Sequence, residues 1–175
     1  MSYLPCELHC HTIHSDGDFT VSELQKAAVD DHLAIIALTD HNTFSGWDEL
    51  DDNIIPAIRG IEWTTYFGHM LVLGANDFVD WRDAQPDNID EKIKQVKAVG
   101  GIVGIAHPYQ LGSPLCTGGR WEFNVRDWRN VDYIEVWHQN LYSAKRENER
   151  ALELWTSLLD KGYKIAATYG RDWHR

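Results

Sequence analysis

No stretch of this chain approaches the roughly 20 consecutive apolar residues needed to span a bilayer. Its first residues, MSYLPCELHCHT, lack the charged-then-apolar order of a secretory signal. Both absences predict a cytoplasmic protein with no membrane role. Cysteine is scarce: Cys6, Cys10 and Cys116 form an odd set without CxxC spacing, which excludes a disulfide framework and fits reduced thiols. Basic residues are outnumbered, 16 Lys and Arg against 27 Asp and Glu, for a formal net charge of −11. Without a basic stripe to displace counterions, a nucleic-acid polymer is excluded as partner. Repeats, low-complexity tracts and Pro/Ser-rich linkers are also missing. At 175 residues the chain is too short for two domains of typical size, so 1–175 is read as a single domain. No GxSxG elbow and no Cys–His pair with an orienting group stands out, so no side-chain nucleophile is required of the chemistry.

What is present is an alternation of strands and helices. A strand ending at Glu7–His11 precedes a helix near Val21–His32, opened by Thr20 with Glu23 three residues on, the spacing of a capping box. Apolar runs at Ala34–Thr39, Ile54–Ile61, Met70–Gly74 and Ile102–Ala106 read as buried strands. Tyr133–Val136 and Tyr163–Thr168 read the same way. Asn88–Val99 and Ser143–Leu159 carry apolar residues at helical spacing, and Leu111–Arg120 is a Gly-rich loop. Strands alternating with helices predict a parallel sheet, doubly wound or closed into a barrel.

Polar residues capable of binding a cation replace the apolar pattern where it ends: His9, His11, Asp16, Asp40, His41, Glu62, His69, His107, His138, Asp172 and His174. In parallel α/β folds the C-terminal strand ends gather at one face, so residues distant in sequence converge there. His9-x-His11 on a strand sends both rings to one side, and Asp172-x-His174 repeats the spacing. Imidazole and carboxylate are the ligands of zinc, manganese or iron. Any single histidine of this set reads more readily as a satisfied core or surface residue; their recurrence at successive strand ends is what favours a metal centre. Cys10 alternates with these histidines and is expected to point into the core.

In these motifs the chain resembles the PHP (polymerase and histidinol phosphatase) metallohydrolases. The pieces are His9-Cys-His11-Thr12 with Ser15-Asp16-Gly17, Leu38-Thr39-Asp40-His41-Asn42-Thr43, Gly60-Ile-Glu62, Gly68-His69, Ala106-His107-Pro108 and Gly170-Arg171-Asp172-Trp173-His174, in order along nearly the whole chain. The resemblance implies a distorted (β/α)7, TIM-like barrel of parallel strands with two or three divalent ions at its C-terminal rim. Carried over by position, His9, His11, Glu62 and Asp172 would hold the first ion. Glu62 would bridge to a second held by His69 and His107, and Asp16, His41 and His174 would hold a third. Softer matches at Gly68–Gly74, Asp80-Trp81-Arg82 and Trp155…Gly162 resemble the branch containing carbaryl-type carbamate hydrolases.

Other residues carry open alternatives. Asp40 is a candidate catalytic residue, either orienting an imidazole or transferring a proton. Arg171 stands where the family usually has a small residue, and is either a fork for an anionic substrate or a surface partner of acids. Arg120 and Arg126 are further candidates for binding an anion. His14 either touches substrate or lies solvated, His32 is surface, and His138 matches no ligand position. Trp63, Trp137 and Trp173 are candidate pocket walls, and Trp155 is core.

The reading is a metal-dependent hydrolase acting on a small anionic substrate. A phosphoesterase for nucleotide or sugar phosphates leads; a carbamate or carboxylic ester hydrolase and a non-catalytic metal-binding module are the alternatives. His174 is the penultimate residue, so either coordination pins the terminus or the chain is a shortened form of a longer one; the second is expected.

Overall fold

A computed structural model describes residues 4–111, 118, 120–138 and 144–175. Among them are seven strands in sequential order round one sheet: β1 (Cys6–Cys10), β2 (Ile35–Leu38), β3 (Ala57–Thr65), β4 (Gly68–Leu73), β5 (Ile102–Ala106), β6 (Tyr133–His138) and β7 (Ala166–Gly170). Three helices pack outside: α1 (Val21–Asp30), α2 (Ile89–Ala98) and α3 (Lys145–Asp160). The sheet nearly closes into a barrel through the residues after β7. The Trp173 N–H donates to the His9 carbonyl and the His11 N–H to the Trp173 carbonyl, each at 2.9 Å. The end of the chain therefore does reach its first strand.

The expectation of parallel strands needs one correction. The β1–β2, β2–β3, β5–β6 and β6–β7 pairs are parallel, but β4 runs antiparallel to both β3 and β5. Only Tyr66 and Phe67 separate β3 from β4, and two residues can close a hairpin but not the dozen-residue crossover a parallel pair needs. Gly68 makes the turn at φ 129°, a conformation glycine adopts without penalty. The reversal decides where a site residue lands. His69, at the start of β4, sits at the same rim as the ends of its parallel neighbours.

Strand alternation divides the core into two layers. Outward side chains of β3–β6, among them Ile61, Trp63, Met70, Val72, Val103, Ile105 and Ile134, bury against Ile89, Ile93 and Val96 of α2 and Leu158 of α3. On the other side Cys10, Ile36 and Leu38 bury against Val21, Leu24 and Ala28 of α1. Full burial of each such aliphatic stabilises the fold by about 1.5–3 kcal/mol. Cys10 is thus core, as its alternation predicts. Thr20 caps α1 in a complete capping box with Glu23. Inward side chains form a smaller plug of Ala37, Leu71, Leu73, Ala106 and Tyr133. Tyr133 fits because residue 104 is glycine: a Cβ there would lie 2.0 Å from its ring. Above this plug the inward positions turn polar.

Candidate metal centre

β1 projects Glu7 and His9 inward, with His11 just past its end; all three are buried. The β3 alternation brings Glu62 to the same space, wholly buried, and the turn after β7 brings Asp172. His9 Nε2 lies 3.3 Å from Glu62 Oε2 and 3.1 Å from Asp172 Oδ1; His11 Nε2 lies 3.4 and 2.9 Å from the same oxygens. The other Glu62 oxygen faces His69 Nδ1 at 2.9 Å and His107 Nε2 at 3.1 Å. Asp16 Oδ1 lies 3.1 Å from His174 Nε2 and 3.4 Å from His41 Nε2, and His11 adjoins them. Four groups result, each with ligand atoms within 4.8 Å of one another: His9, His11, Glu62 and Asp172; Glu62, His69 and His107; His11, Asp16, His41 and His174; and His9, His107 and Glu135. All nine residues assigned to cations from the sequence lie in these groups, and Glu62 is shared between two.

Backbone and neighbours fix several of these groups. His107 and Asp172 have φ of 25° and 52°, in the left-handed region that non-glycine residues avoid, and strain of this kind concentrates at functional sites. His174 Nδ1–H donates to the Asp172 carbonyl at 2.7 Å, which leaves Nε2 toward Asp16. His41 Nδ1 lies 2.8 Å from Glu62 Oε2, so its Nε2 also faces Asp16.

The electrostatics show a cluster short of positive charge. Burial pushes the Glu62 carboxyl upward, yet His9, His107, His41 and His69 outweigh it and hold the group well below the usual range. Asp172 is likewise held well down, by His9 and His11 against burial. His9 is driven well above its ordinary value, burial notwithstanding, by Glu135, Asp172 and Glu62. Burial lowers His11, and the charge on His9 lowers it further. Two adjacent imidazoles thus move in opposite directions, because they cannot both hold a proton between the same carboxylates.

A divalent cation fits the donor set. His9 Nε2, both His11 nitrogens, Glu62 Oε2 and Asp172 Oδ1 are buried and have no partner in hydrogen-bond geometry. Buried polar atoms without partners are costly; all of these but His11 Nδ1 face one another within the His9, His11, Glu62 and Asp172 group, and His11 Nδ1 is turned toward Asp16 at 4.0 Å. Mixed imidazole and carboxylate donors suit zinc, manganese or iron.

Some sequence readings are corrected here. Asp40 touches no imidazole. Its oxygens accept from the Thr12 N–H at 2.7 Å, the Thr12 hydroxyl at 2.8 Å and the Ser15 hydroxyl at 2.7 Å, so it fastens the loop that carries Asp16. Arg171 is engaged with acids: its Nε donates to Glu7 at 3.1 Å and its Nη1 to Asp31 at 2.8 Å, while its guanidinium stacks on Trp173. The surface-partner alternative is therefore the one the geometry supports, and the reading of Arg171 as an anion fork is withdrawn. Trp63 is 2% exposed within the outer core, where it lines a cavity with Phe44, Trp47, Ile61 and Val72 rather than facing the inner donor cluster. His14 bridges Ser45 and Glu49, Arg126 lies 3.8 Å from Asp87, and Trp155 donates to the Ile165 carbonyl while packing on the core. Cys116, Ser143 and most of the Leu111–Arg120 loop lie outside the described residues.

Sequence reasoning missed Glu135 and underrated His138. Glu135 Oε1 is 2.8 Å from His9 Nδ1, and its Oε2 accepts the His107 N–H at 3.0 Å. His138 is buried 3.7 Å from Asp172 Oδ2, and burial followed by the charge on His107 pushes its pKa down to about 3. An available signal was Glu135 itself, an acid standing between Ile134 and Val136, two apolar residues that pack outward on the same strand.

The PHP domain family model matches residues 7–103, more than half of the chain. The chain belongs to the PHP domain family. This PHP domain is 30% identical over 110 residues to an uncharacterised protein of Methanocaldococcus jannaschii, a match covering 62% of the chain and 48% of that relative, so it spans about half of the relative's length. A second uncharacterised protein of the same organism is 29% identical over 153 residues, covering 78% of this chain and 85% of its own. In structure the PHP domain resembles a Bifidobacterium adolescentis protein assigned as a metal-dependent phosphoesterase (TM-score 0.67, 20% identity, 99% of this chain and 89% of that one). It also resembles a two-domain Bacteroides vulgatus protein containing a predicted PHP-like metal-dependent phosphoesterase (0.70, 22%, 98% and 52%). A third likeness is an amidohydrolase of Chromobacterium violaceum with bound sulfate and no metal (0.63, 18%, 97% and 87%). At these identities the structural likenesses show the barrel fold. Among the described residues no helix is long and apolar enough to cross a membrane.

Proposed function

We propose that this PHP domain is a metal-dependent hydrolase that cleaves a small phosphate ester, such as a nucleotide or sugar phosphate, with two or three zinc, manganese or iron ions. The observation that carries this reading is the set of buried, mutually facing donor atoms without hydrogen-bond partners. His9, His11, Glu62 and Asp172 would hold one ion, Glu62, His69 and His107 a second, and Asp16, His41 and His174 a third. When bound, such ions lower the pKa of a water molecule and polarise the oxygen under attack. The rest falls to the chain. Asp40 keeps the Thr12–Asp16 loop at the rim, and the Asp172 carbonyl orients His174. The imidazoles of His41 and His174 are the partly exposed ones of the cluster and would be the first to meet an entering anionic substrate. The assignment of one structural neighbour as a metal-dependent phosphoesterase and the sulfate held by another support a tetrahedral anion as substrate.

Assay of manganese- or zinc-loaded protein against p-nitrophenyl phosphate, bis-p-nitrophenyl phosphate and a naphthyl carbamate tests the reading. Turnover of a phosphate ester that is lost on chelation is expected. Turnover of the carbamate alone would transfer the assignment to the carbamate or carboxylic ester class. Bound metal without turnover of any of the three would favour an accessory module.

A further inference from the structure

Glu135 groups with His9 and His107 but is assigned to none of the three ions proposed above, and it is the buried acid that ties two of their ligand sets together. It stands on β6, only 2% exposed, below the rim. One of its oxygens meets His9 Nδ1 at 2.8 Å; the other accepts the backbone N–H of His107 at 3.0 Å. His107 needs such a restraint, because its backbone is in the strained left-handed region. The carboxylate is also accommodated from across the β6–β7 pair. A Cβ on Gly170 would lie 2.1 Å from Glu135 Oε1, so the absence of a side chain at residue 170 is what leaves room for it.

We propose that Glu135 is a positioning residue, one carboxylate that fixes His9 with its proton on Nδ1 and pins the His107 backbone, so that both rings present Nε2 to the cation cluster. A carboxylate can accept both N–H bonds at once. A glutamine of the same shape cannot, since its amide nitrogen would face one of the two donors. Acids that orient a metal-binding imidazole in this way typically account for about 10–100-fold in metal affinity. The proposal rests on the metallohydrolase reading for the identity of what the rings face, but the position of the His9 proton can be read with or without metal.

The test uses the whole chain with 15N-labelled histidine, His9 being assigned from the spectrum of His9→Gln. A proton on His9 Nδ1 is expected in both zinc-loaded and metal-free wild type. Glu135→Gln is expected to disturb that signal and to weaken zinc binding by about 10–100-fold in titration calorimetry. Gly170→Ala keeps the charge and displaces the carboxylate, and is expected to act in the same direction. A wild-type His9 with no proton on Nδ1 overturns the proposal, as does Glu135→Gln with wild-type zinc affinity and an unchanged His9 signal. Should Glu135→Gln not fold, the wild-type spectrum and Gly170→Ala decide. A wild type that takes up none of zinc, manganese or iron overturns the metallohydrolase reading instead, and the metal-free His9 signal still decides the role of Glu135.

Discussion

The inner and outer parts of the candidate centre are built from the same residue types and could hardly differ more in setting. His9, His11 and Glu62 have side chains 0% exposed, whereas Asp16 is 59% exposed, His174 27% and His41 23%. The inner group hangs on strand ends and is braced by Glu135 and by a closed backbone seam. The outer group hangs on the Thr12–Asp16 loop and the last residues of the chain. Burying carboxylates costs several kcal/mol each unless compensated, and histidine protons compensate poorly where two rings compete for one space. The inner group is thus intelligible as a preformed demand for divalent charge. Water screens the outer group, which requires a cation far less and would exchange it more readily.

The sharpest way to break this contrast is Glu62→Gln. One Glu62 oxygen faces His9, His11 and His41, the other His69 and His107. Losing its charge is expected to lower hydrolysis by about a thousandfold or more, the several kcal/mol that charge stabilisation by metal supplies, and elemental analysis should show loss of inner metal. Retained inner metal would refute the bridging role. Chelation of the wild type comes next. Cations held about 100-fold above their Kd stabilise the folded state by about 2.7 kcal/mol, so a chelator should lower Tm by about 5–10 °C at this chain length. A chelator-insensitive Tm would mean that the inner carboxylates are already satisfied. Asp16→Asn should be milder, a loss of about tenfold in kcat/KM with one ion fewer per chain; parallel loss of all metal would erase the distinction between the two groups.

Legibility from sequence followed the same division between local and distant causes. His9-x-His11, the Thr20–Glu23 box and the apolar runs are local patterns, and the structure realises each with small shifts at the boundaries. The direction of β4 was also written locally, in the two residues between Thr65 and Gly68, but a general expectation of parallel strands overrode it. Glu135 is different: ending its strand at Val136 left no reason to ask which way residue 135 points, and its partners His9 and His107 lie far away in the chain. Asp40 meets Thr12 and Ser15 instead of the imidazole expected of it, because nothing in Thr39-Asp40-His41 announces that those two residues will reach it.

Arg171 supplies the smallest and most discriminating effect. Its neighbour Asp172 faces the inner group, while its own guanidinium turns to Glu7 and Asp31, partners 164 and 140 residues earlier in the chain. If that pairing is structural, Arg171→Met removes two charge-assisted bonds and leaves the buried Glu7 carboxylate with two backbone donors, the His9 N–H at 3.2 Å and the N–H of residue 171 at 3.4 Å. The pair is partly solvated, which places the cost near about 1 kcal/mol, between an exposed ion pair and an unsatisfied buried acceptor. A fall in Tm of about 2–4 °C is expected, with KM for a phosphate ester unchanged and metal content intact. A tenfold rise in KM at constant Tm would instead mean that the guanidinium leaves its acids to meet substrate. Asp31→Asn separates the same outcomes from the other side: it weakens the surface arm of the pairing without touching the rim, so a structural Arg171 predicts a smaller loss of stability than Arg171→Met and no change in KM.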